Sequence, residues 1–125
     1  MMPSFKKSPP ELVARFDEIA AQVPGATRKQ MFGYPVCVVS GNMFMGLHDD
    51  YLFLRLAAPD RAILFDQHGA RVFAPMPGRL MTEYVVVPAE IMDGPTIDEW
   101  VQRSFGYAQN LPPKTPNRLK TPKKG

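Results

Sequence analysis

The sequence of residues 27–56 is TRKQMFGYPVCVVSGNMFMGLHDDYLFLRL, which contains three apolar runs of residues that favour β-strands. Two turn signals separate these runs, Ser40-Gly41-Asn42 and His48-Asp49-Asp50. Apolar runs joined by such short turns predict a three-stranded antiparallel meander. The first strand, residues 28–39, is interrupted at Gly33-Tyr34-Pro35, where we expect a bulge or an edge position because proline cannot donate to a strand ladder.

Helical patterns flank this meander. Apolar residues recur at helical spacing over residues 12–23, after an S-x-x-E capping box that predicts Ser8 as the N-cap. A short helix is predicted over residues 58–68, ended by Gly69, and a single helical turn over residues 88–92. The last helix is predicted from Asp93 to Leu111.

Two further strands are predicted, one beginning at Val72 and one over residues 82–87. The resulting order is α-β-β-β-α-β-β-α. Short connections between strands favour an α+β fold of two layers, in which helices cover one side of a mostly antiparallel five-stranded sheet. We expect the opposite face, carrying Tyr51, Phe53 and Tyr84, to lack a cover and so to offer apolar surface to a partner.

The length of 125 residues predicts a single domain, over residues 8–112. Residues 1–7 are expected to be flexible, and residues 113–125, rich in Pro, Lys and Thr, to form a disordered basic tail. Five of the 15 basic residues follow Pro112, so the remaining ten face 12 acidic residues in the domain. A domain built to bind nucleic acid through its whole surface would instead be basic throughout.

Composition also bears on location and chemistry. The chain has no apolar run long enough to span a membrane and no secretory signal at its N-terminus, and its single Cys37 suits a reducing compartment, so we expect a cytoplasmic protein. Cys37 lies among valines and is expected to be an inert thiol. His48 and His68 lack neighbouring ligands, which argues against a metal site. We expect no cofactor and no enzymatic activity, since no phosphate-binding loop or catalytic triad pattern occurs.

Four segments resemble one known family: RKQMFGYP at residues 28–35, GNMFMGL at 41–47, FAPMPGR at 73–79 and EYVVVP at 83–88. In order and spacing they are similar to the TfoX (Sxy) N-terminal domain family, and to its short, stand-alone members in particular. The resemblance implies an α-β(3)-α-β(2)-α fold similar to that of type III secretion chaperones. Full-length members are transcriptional co-regulators of natural competence that carry a second, helical domain.

The resemblance and the lack of a catalytic pattern together favour a non-enzymatic regulatory domain that acts through protein contacts. Its expected partners are another protein, such as part of the transcription machinery, and a second copy in a homodimer formed through the sheet or its strand edges. The residues expected to bind the partner are Arg28, Lys29, Met31, Phe32, Gly33, Tyr51, Phe53, Arg79 and Tyr84.

Two other functions stay open from the sequence. The basic tail, with Arg28 and Lys29, could bind nucleic acid weakly through phosphate contacts. Alternatively, a pocket between the sheet and the loop at residues 75–79 could bind a small ligand through Arg79, Glu83 and Tyr84. For Glu83, however, a salt bridge with Arg28 or Arg55 is favoured over a role as a general acid.

Overall fold

The structure is a computed structural model that describes residues 7–76 and 78–113, without the side chains of Met76 and Arg79. The predicted flexible N-terminus and basic tail therefore lie almost entirely outside the described residues. Within those residues the chain forms ten elements: α1 (Pro10–Ala21), β1 (Thr27–Met31), β2 (Tyr34–Val39), β3 (Asn42–His48), β4 (Tyr51–Arg55), α2 (Ala58–His68), β5 (Arg71–Met76), β6 (Arg79–Val86), α3 (Ala89–Met92) and α4 (Ile97–Gln109).

All six strands belong to one antiparallel sheet with the order β1-β2-β3-β4-β6-β5. Successive hairpins build β1 to β4, and β6 pairs with β4, which leaves β1 and β5 as the two edges. The helices share one core with a single face of this sheet. The predicted α+β class and antiparallel sheet are confirmed, whereas the predicted number of five strands is wrong.

The additional strand arises because the predicted strand over residues 28–39 is a hairpin. Phe32 and Gly33 have φ angles of 55° and 85°, and Met31 pairs with Tyr34 directly beside them. Positive φ at both central residues is the geometry of a two-residue hairpin turn, usually encoded by Asn-Gly rather than Phe-Gly. The two predicted turns are confirmed, with positive φ at Ser40, Gly41 and Asp49.

Pro35 occupies neither a bulge nor an edge strand, so that expectation is wrong. It lies in β2, opposite Gln30 of β1, and the pairing of β2 with β3 begins only at the next residue, Val36. The irregularity lies further along β2, where Cys37 pairs with Met45 but Val38 pairs with Met43. The residue of β3 between these partners, Phe44, is therefore additional, and it packs into the helix-side core together with Met45.

The beginning of α1 also differs from the prediction. The helix begins at Pro10 with Pro9 as its N-cap, and no side chain caps it. The hydroxyl of Ser8 instead donates a hydrogen bond of 2.7 Å to the carbonyl oxygen of Asp49, in the β3–β4 turn. The end of α2 follows the prediction, with Gly69 in the left-handed conformation at φ 64°.

Two clusters of buried residues lie on opposite faces of the sheet. On the helix side, the buried hydroxyl of Ser104 in α4 lies 2.6 Å from the carbonyl oxygen of Phe44 and 2.7 Å from that of Arg55. This contact ties α4 to β3 and β4 within an otherwise apolar layer. Satisfying a buried hydroxyl in this way avoids a penalty of about 1–3 kcal/mol.

The second cluster is buried although no helix among the described residues covers it. It consists of Val36, Phe53, Phe73, Tyr84 and Val86, each less than a tenth exposed. Phe73 of the edge strand β5 stacks on Phe53 of β4, with ring centroids 4.1 Å apart and planes 12° apart. Since β6 lies between these strands, the sheet must curl strongly for the rings to meet. The expectation of an uncovered face is therefore wrong for Phe53 and Tyr84, which this curl buries.

We expect Gly46→Ala to destabilise the protein by about 1–3 kcal/mol, as overpacking does. A Cβ at Gly46 would lie 2.6 Å from Cζ of Phe53 and 2.8 Å from Cγ1 of Val36, so it would push Phe53 away from Gly46. Urea denaturation gives the change in the free energy of unfolding.

Gly106→Ala in α4 is the matched control for that substitution. Apart from the adjoining residues and the backbone of its own helix, a Cβ there meets no atom within 4 Å, so alanine should stabilise the helix by about 0.5–1 kcal/mol. Equal effects of the two substitutions would contradict the close packing of Phe53 over Gly46.

Candidate apolar binding groove

A groove opens on the helix-free face of the sheet, between the β1–β2 turn and the β5–β6 hairpin. Its volume is about 260 Å³. The curl of the sheet brings together residues from all six strands and the β1–β2 turn, namely Met31, Phe32, Tyr34, Val36, Met43, Leu47, His48, Phe53, Phe73, Pro75 and Met81. We refer to this set as the groove.

The rim of the groove carries exposed apolar side chains. Met31 is 42% exposed and Phe32 is 75% exposed, at the end of β1 and in the turn that follows. Leu80 is 64% exposed on β6, but its neighbour Met81 lines the groove, so Leu80 lies on the other face of that strand. Together with Met43, the methionines 31 and 81 give the groove three flexible thioether chains that adapt to different shapes.

His48 is the titratable imidazole of the groove wall. Its ring centroid lies 4.9 Å from that of Tyr34 and 5.5 Å from that of Phe73, and its Nδ1 lies 3.3 Å from the hydroxyl of Tyr51. Burial lowers the pKa of His48, with the opposing effect of the Asp49 carboxylate smaller. At neutral pH the imidazole is therefore uncharged, and the groove presents an apolar wall.

We expect acid to destabilise the wild-type protein partly through His48. The imidazole of His48 binds a proton less tightly in the folded protein than in the unfolded chain, because its pKa is lowered on folding. Protonation therefore favours the unfolded chain, so this loss of stability is absent above the ordinary pKa of about 6.5 and grows as the pH falls through and below it. Urea denaturation from about pH 7.5 to pH 5 should show a steeper decline for wild type than for His48→Asn. Parallel profiles would contradict this assignment, since the carboxylates titrate in both proteins.

The predicted partner-binding residues divide into separate groups. Met31, Phe32 and Phe53 do meet in the groove, and Gly33 forms its turn at φ 85°. Tyr51 lies at the margin of the same aromatic cluster, with the guanidinium of Arg71 over its ring.

The side chain of Tyr84 lies across the face of the sheet and reaches β3. Its side chain is only 8% exposed, and its hydroxyl donates a hydrogen bond of 3.0 Å to the carbonyl oxygen of Met43. Burial raises the pKa of Tyr84, so the phenol stays protonated and keeps that bond. The prediction that Tyr84 binds a partner is untested, but this geometry gives it a structural role.

The two basic residues of β1 point to different faces of the sheet. Nε of Arg28 lies 2.6 Å from Oδ1 of Asp17 in α1, so this guanidinium faces the helix layer. Lys29 pairs in register with Val36, a groove residue, and therefore lies on the groove face, exposed to solvent. The phosphate-binding pair proposed from the sequence is thus split, and the basic tail from residue 114 onward lies outside the described residues.

The polar groups predicted to bind a small ligand do not form a site in the groove. Arg55 donates to Glu83 from Nε at 2.7 Å and from Nη2 at 2.6 Å, which confirms Arg55 as the partner of Glu83. This hydrogen bonding lowers the pKa of Glu83. The side chain of Arg79 lies outside the described residues, and the loop contributes Pro75, an apolar residue, to the groove.

The partner-binding residues expected from the sequence did not include eight of the eleven groove residues, namely Tyr34, Val36, Met43, Leu47, His48, Phe73, Pro75 and Met81. Strand alternation counted from Tyr84 would place Met81 on the helix side of the sheet, but Val72 pairs with Val85 while Phe73 pairs with Met81. The residues between the two partners in β6 form a bulge that reverses which face Met81 occupies. The aromatic residues close to turns, at positions 34 and 73, were the available signal.

Other potential sites in the described residues carry no comparable arrangement. Cys37 is fully buried, and burial raises its pKa to about 11, so the thiol is unsuited to nucleophilic attack. Among the described residues, no three His, Cys, Asp or Glu side chains are grouped to hold a metal ion. In the same part of the chain, no helix has the length and apolar character needed to cross a membrane.

The family was established by comparison with known proteins. The model of the TfoX N-terminal domain matches residues 18–108, more than two thirds of the chain. The chain belongs to the TfoX N-terminal domain family. No curated protein and no solved structure matches it, so the similarity to type III secretion chaperones stays a prediction.

In this TfoX N-terminal domain, the segments that carried the resemblance meet at the groove. Residues 28–35 contribute Met31, Phe32 and Tyr34, and residues 41–47 and 73–79 contribute further lining residues from β3 and β5. The fourth segment, 83–88, supplies Tyr84 to the cluster beneath the groove. The groove is therefore built largely from the residues by which the family resemblance was detected.

Proposed function

We propose that this TfoX N-terminal domain is a non-enzymatic regulatory module that binds an apolar side chain of a partner protein in the groove. The observation that carries the proposal is a preformed, uncharged cavity with exposed Met31 and Phe32 at its rim. Its volume of about 260 Å³ is at the lower limit of small-molecule sites, which usually span about 300–1,000 Å³. It suits one large anchoring side chain better than a sizeable metabolite.

The chemistry of the groove supports an anchor of this kind. Large apolar side chains that fill such pockets are the usual hot spots of protein interfaces, and losing one costs about 2 kcal/mol or more. The three methionines can repack around different anchors. A neutral His48 lets the anchor enter without having to desolvate a charge.

Support for a regulatory role comes from family membership rather than from the groove itself. Full-length relatives are transcriptional co-regulators, so we propose that the partner belongs to the transcription machinery. We place the domain in the cytoplasm, for which the single, buried Cys37 is the supporting observation.

We expect Phe32→Asn to weaken partner binding while leaving the fold intact. Asn-Gly favours the turn that Phe32 and Gly33 already form, so the substitution removes apolar rim surface without straining the hairpin. Affinity capture from extracts of the native cell, quantified by mass spectrometry, should show at least a roughly fivefold loss of the partner, as expected for removing an anchor contact.

Leu80→Asn is the matched control for the capture experiment. It removes another largely exposed apolar side chain, from the same sheet but outside the groove lining. The proposal requires that partner capture by Leu80→Asn equal that by wild type. Equal losses in both variants, or no loss in Phe32→Asn, would refute a role for the groove.

We also expect the protein to self-associate, as the sequence predicted. Size-exclusion chromatography with light scattering, over about a hundredfold range of concentration, should show the mass rising toward twice that of one chain as mass action requires. A constant monomer mass across that range would rule out the homodimer.

A further inference from the structure

The two edges of the sheet differ in their capacity to accept another strand. β5 carries Pro75 and two register shifts in its pairing with β6. Proline and bulges are the devices by which proteins block an edge from pairing. β1 pairs with β2 over five consecutive residues without a register shift or a proline, and all five residues are exposed. Of the two edges, β1 is the one open to a further strand.

The hydrogen-bonding groups of this edge follow from the turn. A two-residue turn makes the flanking residues, Met31 and Tyr34, a hydrogen-bonded pair. Because such pairs alternate along an antiparallel ladder, the backbone N–H and C=O groups of Arg28 and Gln30 point away from β2. In the described part of the chain no strand pairs with that side of β1.

We propose that an extended segment of the partner protein adds to β1 as an antiparallel seventh strand and places a large apolar side chain in the groove. This rests on the proposed function, because it assigns the binding mode of the same groove. An added strand runs about 4.8 Å from β1, so its residue opposite Met31 stands at the rim beside the cavity. The anchor therefore enters from the open edge.

The charge of Lys29 indicates a second residue of the partner segment, the one opposite Lys29. Lys29 lies on the groove face and forms no ion pair with the described residues. Side chains two residues apart share a face, so an acidic residue opposite Lys29 lies two positions after the apolar residue opposite Met31 in an antiparallel strand. The partner segment should therefore contain the pattern apolar-x-acidic.

The same charge argues against a second copy of β1 as the occupant. Antiparallel pairing of two β1 strands centred on Lys29 would place two lysines directly opposite each other. Like charges at that position are destabilising. A homodimer through β1 in this fully overlapping register is therefore disfavoured, and we assign an acidic, extended segment of a different protein as the occupant.

Selection of a phage-displayed random peptide library on the immobilised full chain tests the inference. The enriched peptides should carry the apolar-x-acidic pattern. Synthetic copies, measured by fluorescence anisotropy, should bind Gln30→Pro at least about tenfold more weakly, since proline removes the outward N–H of Gln30. Gln30→Ala keeps that N–H and should bind within about twofold of wild type, and Lys29→Glu should weaken binding by about fivefold.

A second measurement leaves the protein unchanged and so does not depend on the folding of Gln30→Pro. Single N-methylation along the enriched peptide should weaken binding at alternate positions only, because a strand directs every second N–H toward its neighbour. Uniform tolerance of N-methylation, or equal binding to wild type and Gln30→Pro, would overturn strand addition.

The outcomes separate this inference from the proposed function. Peptides that bind Gln30→Pro normally but fail to bind Phe32→Asn would leave the groove as the docking site and refute only the strand addition. Peptides that bind Phe32→Asn as well as wild type would refute the groove itself. Failure to enrich any peptide would contradict both.

Discussion

The contact of Phe53 with Gly46 beneath it and Phe73 above it holds the helix-free side of this protein together. The Phe73 ring reaches Phe53 across an intervening strand, and the missing side chain at Gly46 lets Phe53 lie close to the sheet. Both contacts accompany the curl by which the sheet closes over its second face. The groove is the space left at the end of that curl, so its shape depends on this three-residue stack.

The helix side has a different role. There α4 is joined to the sheet by the buried hydroxyl of Ser104. It is joined to α2 by Arg103, whose Nη1 lies 2.8 Å from Oδ1 of Asp60 and whose Nη2 lies 2.7 Å from Oε2 of Glu99 in α4 itself. These contacts stabilise a layer that buries most of the apolar residues. Because the helix side provides most of the buried apolar core, the groove face can keep apolar side chains exposed at the rim of a cavity.

Local signals in the sequence were enough to predict most of the elements. The turns after Val39 and His48, the helix ended by Gly69 and the last helix all carry residues whose backbone preferences match their position. The hairpin at Phe32-Gly33 was missed because phenylalanine is rarely found at positive φ, so Phe32 did not indicate a two-residue turn. The prediction that Ser8 caps α1 was wrong because its hydroxyl donates instead to the carbonyl oxygen of Asp49, which is distant in the sequence.

The site was less predictable than the fold, for a physical reason. Met31 and Phe32 could be found because they belong to the family segment at residues 28–35, and Phe53 because strand alternation places it on one face with Tyr51. Phe73 and Met81 could not, since their positions depend on the curl of the sheet and on a bulge in β6. Both are tertiary effects that strand alternation alone does not contain.

The unequal edges of the sheet also limit how these molecules can assemble. A fibril that grows by pairing of edge strands needs two free edge strands on every subunit, because each added subunit must offer a free edge strand to the next. Here Pro75 and the irregular pairing of β5 close one border. Growth by edge-to-edge pairing therefore ends after a single step. The protein can thus leave β1 open to strand addition without forming polymers.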